Sequence, residues 1–341
     1  MKYILNSSFL AKKLEGSKYL IGTTLLKQYE VELDEPSKKI FELFSQDNTI
    51  ESVINEMDGI LDRDDVIEII NFAIKETIIV PSFKELIDGK EEYSELYDRQ
   101  IRLFEEVSPG FGIHSQKKLI NSRVVLLGVG GTGSYTLYTL AAMGVGFVRA
   151  IDFDEVQLSN LSRQILYNRA DVGKLKIDCA KERINQLNPD LKYEYINKKV
   201  ESESDIEELI KDCDFLIVSA DTPRKKIKMM AHNACVKCNV PYVSGGSCVD
   251  SIGVGPLFIP HESKGKYYSY FDDKTYDIED NFTESFNKSF VSTLIDPYNA
   301  LAASYAALEC IKYITGFSEP TLKDKVMIIN LQNYETTIAE I

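Results

Sequence analysis

The sequence predicts an α/β protein in two parts: a small winged-helix-like α+β unit over residues 1–88, then a doubly wound domain over residues 94–341. Short β-branched runs ending in glycine or aspartate recur in the second part (SRVVLLGVGG, FVRAIDFD, DFLIVSAD) with helical patterns between them, as buried parallel strands require. The first 90 residues instead show one strand-like run followed by amphipathic helical stripes. Between the two, Phe83 to Ser94 (FKELIDGKEEYS) is charged and contains Gly89, which marks a linker. With 341 residues, 44% of them hydrophobic, the chain can bury one large core and a second small one.

In the first part, Leu25 to Leu33 (LLKQYEVEL) alternates loosely and suits a strand. Asp34, Glu35 and Pro36 then supply the N-cap and first turn of a helix on which Ile40, Phe41 and Phe44 share a face. Thr49 caps a second helix, with Ile50, Val53, Ile54 and Met57 in one stripe. A third runs from Asp62 to Thr77 and ends in IIVP. With a formal net charge of −14, the chain is not expected to bind nucleic acid or anionic membranes. An edge strand of this unit can instead receive a peptide by strand addition; the alternative is a cap that only stabilises the chain.

In the second part, VPYVSG and VGPLFIP continue the series of parallel strands. Helices are predicted over Ser134 to Met143, Asp178 to Asn188, Lys225 to Cys238 and Ala300 to Thr315, the last stopping at Gly316 before Pro320. No uncharged apolar run reaches the length of a membrane span, and MKYILNSSFLAKKLEG lacks the pattern of a signal peptide, so a cytoplasmic protein is expected. Six scattered cysteines, at 179, 213, 235, 238, 248 and 310, read as thiols in a reducing compartment.

Gly128, Gly130, Gly131 and Gly133 follow a strand and open a helix, the G-x-G-x-x-G context in which backbone N–H groups reach a phosphate. Asp152, about 20 positions on and at the end of the next strand, is placed to bond ribose hydroxyls. That much suits a nicotinamide dehydrogenase equally well. The residues beyond Asp152 favour a triphosphate: Asn160-Leu161-Ser162-Arg163-Gln164 and Val172-Gly173-Lys174-Leu175-Lys176 bring cations that neutralise a leaving pyrophosphate. Asp221, ending VSAD, stands where a carboxylate can hold magnesium.

The series DRQIRLF, GVGGTG, IDFDEVQLSNLSRQ, DVGKLK, VSAD and NVPYVSG, over residues 97–335, resembles the ubiquitin-activating-like adenylyltransferases that include ThiF and MoeB. The resemblance implies a Rossmann-like adenylation domain using ATP and magnesium. It implies contacts to the nucleotide from Asp152, Asp154, Asn160, Arg163, Gln164 and Lys176, magnesium at Asp221, and a homodimer in which Arg99 reaches the partner's site. The N-terminal unit, the IVP and YDRQIRLF segments and CVDSIGVGPLFIP are most similar to MccB-like peptide adenylyltransferases. That likeness implies a short ribosomally made precursor peptide, adenylylated at its C-terminus as in microcin C-type antibiotic biosynthesis.

Two features depart from that family. The zinc-binding Cys-x-x-Cys pairs are missing, since GKYYSYFDD stands at the first and no cysteine follows Cys310, so no structural zinc is expected. The loop from Lys264 to Ser292 must then be ordered by aromatic packing or by ligand, and can cover the site. Cys235 and Cys238 form the only such pair, inside a helix. With no cysteine between Val249 and Glu309, a covalent thioester step is not expected. The rivals are an adenylyltransferase for a ubiquitin-like sulfur carrier ending in Gly-Gly, against which the N-terminal unit argues, and a catalytically silent leader-peptide docking protein, against which Arg99, Asp152, Arg163, Lys176 and Asp221 argue together.

Overall fold

The structure, a computed structural model, describes residues 1–22, 28–82, 91–224, 226–271 and 293–341. Two compact units divide the chain, Met1–Ser115 and Gln116–Ile341. Most of the expected linker, residues 83–90, lies outside the described residues.

In the first unit, β1 (Tyr3–Leu5) pairs antiparallel with β5 (Ile79–Pro81), while β2 (Leu10–Lys13), β3 (Lys18–Gly22) and β4 (Gln28–Glu32) form a three-stranded antiparallel sheet. The strand expected from Leu25 starts at Gln28; residues 25–27 are outside the described ones. Helices α1 (Glu35–Leu43) and α2 (Ile50–Glu56) begin where the sequence places their caps, because capping is local chemistry, and α3 (Arg63–Lys75) begins just after the expected start at Asp62. The Asp34, Thr49 and Asp62 side chains accept from the backbone N–H of Ser37, Ser52 and Asp64. Their apolar stripes meet in one core of Ile40, Phe44, Val53, Met57, Val66 and Ile70, all essentially out of solvent. At about 1.5–3 kcal/mol per buried side chain, that core is what holds three short helices together. Helices α4 (Glu91–Leu96), α5 (Asp98–Val107) and α6 (Gly112–Asn121) come next in the chain.

The second unit is an eight-stranded sheet in the order β13-β12-β11-β10-β9-β6-β7-β8. Its parallel part comprises β6 (Arg123–Leu127), β7 (Phe147–Ile151), β8 (Lys192–Ile196), β9 (Phe215–Val218) and β10 (Tyr242–Ser247). The VGPLFIP run was expected to be parallel, but β11 (Ser251–Phe258) is antiparallel to β10, since residues 248–250 are too few for a parallel crossover. Sequence analysis also missed β8, β12 (Lys325–Asn330) and β13 (Thr336–Glu340).

Helices α9 (Glu203–Ile210) and α10 (Ile227–Cys238) pack on one face of the sheet, against Val125, Leu127, Leu216, Val218 and Tyr242. Strand alternation turns the intervening residues to the other face, where α7 (Gly131–Ala142) lies beside the long α12 (Asp296–Thr315). The predicted doubly wound architecture is therefore present. After β6 the chain winds outward through α8 (Lys176–Leu187) to β8, and after β9 it winds the opposite way, so the switch point that binds ligands in such sheets lies at the ends of β6 and β9.

Beyond β11, the short α11 (Tyr267–Phe271) sits in an aromatic cluster. Buried His232 stacks flat on Tyr267, with ring centroids 4.7 Å apart, and Phe258 meets it edge-on at 5.2 Å. Burial lowers the His232 pKa, so the ring is neutral. The Tyr267 hydroxyl lies 2.9 Å from both the Leu257 carbonyl and Asp324 Oδ1, and Asp324 Oδ2 accepts from the Lys264 N–H, which joins the loop after β11 to the start of β12. Aromatic packing thus orders the first part of the loop expected over 264–292; residues 272–292 lie outside the described ones.

Candidate active site

A cavity of about 880 Å³ opens at the switch point. Its nucleotide side begins with the glycine turn after β6. Gly128 has φ +92°, and a Cβ there would lie 2.8 Å from the Ala220 nitrogen. A Cβ on Gly133 would lie 1.9 Å from the Gly128 carbonyl oxygen, so this glycine is buried beneath the turn and does not line the cavity. Gly130 is the N-cap of α7 and makes no side-chain capping bond, which leaves the N–H groups of the first turn to a ligand.

Asp152 braces that turn: Oδ2 accepts from the Val129 N–H at 2.7 Å and Oδ1 from the Asp154 N–H at 2.9 Å. Burial raises its pKa, while Lys176 and the two N–H groups oppose the shift. Each oxygen keeps a lone pair for a ribose hydroxyl. Lys176, buried at the start of α8, donates to Asp154 Oδ2 at 2.8 Å and so is held at the cavity wall. Asn160 caps its own 3₁₀ turn by accepting from the Gln157 N–H, and Arg163 donates to the Ser159 carbonyl. Gln164 is buried with no hydrogen-bond partner for Oε1 among the described residues, a cost normally removed by a ligand or water. Glycines with no room for Cβ, an uncapped helix start and this orphaned amide fit a nucleotide phosphate and sugar.

Asp221 follows β9, exposed to the cavity, and its Oδ1 accepts from the Thr222 hydroxyl at 3.2 Å. Among the described residues no cluster of three His, Cys, Asp or Glu could hold a metal. One carboxylate joined by phosphate oxygens and water is nonetheless the usual donor set for magnesium, so Asp221 fits that ion. All the sequence-derived site residues meet in this cavity except two. Gly133 lies beneath it, and Arg99 stands exposed on α5 in the first unit.

Several lining residues escaped the sequence analysis. Asn299, on α12, accepts from the Ser247 hydroxyl at 2.8 Å and donates to the Arg163 carbonyl at 3.3 Å, tying three segments together under the glycine turn. Its signal was a polar residue three and seven positions before Ala302 and Ala306 on an otherwise buried helix face. Arg224, Lys228 and Cys248 also line the cavity, and the exposed Cys248 lies one residue before the cysteine-free stretch from Val249 to Glu309. Cys235 is buried in the α10 core, where burial holds its thiol well above the ordinary range and so inert. No helix among the described residues is long and apolar enough to cross a membrane.

Residues 97–341 match the model of the ThiF family. The chain is 28% identical over 224 residues to the sulfur carrier protein ThiS adenylyltransferase of Escherichia coli (strain K12), which covers 66% of this chain and 82% of that protein. The crystal structure of E. coli MccB with ATP is similar at a TM-score of 0.80 and 26% identity, covering 100% of this chain and 97% of the other. The structure of the microcin C7 biosynthetic enzyme MccB in complex with N-formylated MccA gives 0.81 and 26% over the same shares.

Proposed function

We propose that this chain, which belongs to the ThiF family and is an ATP-dependent adenylyltransferase, acts on the C-terminus of a short ribosomally made precursor peptide, as in microcin C-type antibiotic biosynthesis. The observation that carries the reading is the extent of the likeness to MccB, which spans 100% of this chain, whereas the ThiS adenylyltransferase aligns with 66% of it and the ThiF match starts at residue 97. Activating a Gly-Gly-ending carrier gives no task to residues 1–88. In this reading they are the clamp that holds the peptide, and residues 94–341 do the chemistry. The outer edges of β2 and β4, unpaired among the described residues, offer backbone groups for an added strand.

The glycine turn and the start of α7 receive the phosphates, Asp152 the ribose, and Arg163 and Lys176 the charge of the departing pyrophosphate. An oxygen of the peptide's terminal carboxylate bonds to the α-phosphorus. The bond from that phosphorus to the bridging oxygen breaks, and its electron pair leaves with pyrophosphate. The carboxylate is ionised at neutral pH, so no general base is required. Magnesium, held by Asp221, would supply further neutralisation of the phosphates.

Mass spectrometry tests this directly on each short peptide encoded beside the gene, incubated with the enzyme, ATP and magnesium. A gain of one AMP is expected on one of them. No gain, with pyrophosphate released only when a Gly-Gly-ending sulfur carrier is added, would replace the peptide by the carrier. Two copies are proposed to associate with Arg99 acting on the partner's nucleotide. Arg99→Ala and Asp221→Ala chains, each inactive, should then regain about a quarter of wild-type turnover when mixed equally and allowed to exchange; an inactive mixture would remove Arg99 from the partner's site.

A further inference from the structure

Past Asp221 the cavity continues along β10, β11 and the first turn of α10, where two independent features coincide. Gly246 on β10 and Gly253 on β11 are directly opposite each other, both line the cavity, and a Cβ on either would meet no atom within 4 Å. Paired glycines weaken a strand pair, and they mark a place where another backbone comes close. Their neighbour Gly245 is different: it faces α12, and a Cβ there would lie 3.2 Å from Ala306.

Lys228 projects into the same half of the cavity. The other cavity-lining lysines are paired, Lys176 with Asp154 at 2.8 Å and Lys198 with Asp205 at 2.7 Å. The Lys228 ammonium has no ion pair or hydrogen bond among the described residues. Its side chain is exposed to the cavity, where partial loss of hydration lowers its pKa, opposed by the Cys248 thiol. An unpaired ammonium on a cavity wall is available to an anion that enters there.

The sheet order decides which anion. The phosphates belong to the glycine turn after β6, Asp221 follows β9, and β10 and β11 come next, on the far side of Asp221 from the turn. In-line displacement brings the attacking oxygen to phosphorus from the side away from pyrophosphate. Carboxylate and triphosphate repel each other, and a cation on the approach side offsets that repulsion.

We propose that Gly246, Gly253 and Lys228 form the subsite for the last residue of the acyl substrate, the glycine pair receiving its backbone and Lys228 its α-carboxylate. The site rests on the peptide reading only for which acyl chain enters. Lys228 keeps its proton throughout; it binds and orients.

The test compares the free acid of the peptide that the wild type adenylylates with its C-terminal carboxamide, by binding in the presence of a non-hydrolysable ATP analogue and by pyrophosphate exchange. The wild type should prefer the acid at least tenfold. Lys228→Met should bind both forms equally, lose at least tenfold in kcat/KM for the acid and keep its ATP affinity, while Lys228→Arg should retain the preference. As a second variant, Gly253→Val should block the acid without affecting ATP binding. Acid preference surviving in Lys228→Met, or ATP affinity falling in parallel, overturns the proposal. The wild type alone reports the substrate class: if it adenylylates only a Gly-Gly-ending carrier, the peptide reading falls, and the same comparison on the carrier's acid and carboxamide forms decides Lys228.

Discussion

The two halves of the cavity obey opposite rules. On the nucleotide side the chain itself fills most of the close space: Gly128, Gly131 and Gly133 are glycine because backbone or Asn299 occupies the place of Cβ, and Lys176 and Asp152 are already bonded. On the acyl side Gly246 and Gly253 face open space, and among the described residues Lys228 has no counter-ion and Asp221 is held only by Thr222. A half whose side chains are already braced is preorganised for a ligand of fixed shape, with only the start of α7 and the Gln164 amide left for the ligand to satisfy, and its interactions cost little reorganisation during reaction. The other half leaves room and charge for the substrate to complete, which suits an acyl chain whose side chain must be accommodated as well as its carboxylate.

One substitution on each side tests the contrast. Gly133→Ala puts a methyl group 1.9 Å from a backbone oxygen that cannot move without unmaking the turn, so it should cost at least about 3 kcal/mol, seen as a lower urea midpoint or loss of soluble protein. Gly246→Ala makes the same chemical change into open space and should stay within about 0.5 kcal/mol. Similar costs at both would mean the acyl side is as tightly built as the nucleotide side, and the comparison would fail.

The nucleotide side was largely legible in the sequence because its chemistry is local. A strand, a glycine turn and a helix start are contiguous, and Asp152 and Lys176 fall at the ends of the next elements. Helix caps at Asp34 and Thr49 were readable for the same reason. The acyl side was not legible, because it depends on register. Nothing at position 246 announces that it will lie opposite 253, and Lys228 reads as one of several lysines in KKIK until α10 sets it on the cavity wall. Strand β8 (KYEYI) was missed because its alternation is carried by lysine, glutamate and tyrosine rather than by aliphatic residues. The antiparallel β11 to β13 meander was missed because buried strands look alike whichever way they run.

Asn299 is the clearest case of non-local construction, 167 residues from Thr132. Asn299→Ala should cost about 1–3 kcal/mol, since it leaves the Ser247 hydroxyl and the Arg163 carbonyl without their partner. Gly131→Ala should cost about 2 kcal/mol in the wild type, because its Cβ would lie 2.5 Å from Asn299 Nδ2 and force that amide out of both bonds. Position 131 itself is the first residue of α7, its backbone is not left-handed, and alanine is favoured over glycine in a helix by up to about 1 kcal/mol. Once Asn299 is alanine the obstacle is gone, so adding Gly131→Ala should be neutral or stabilising. The double-mutant cycle, read by urea unfolding, should therefore show a coupling of about 1–3 kcal/mol. Additive costs would mean that Gly131 is required by something other than Asn299, such as the approach of the nucleotide, and the nucleotide half would then be shaped by its ligand as the acyl half is.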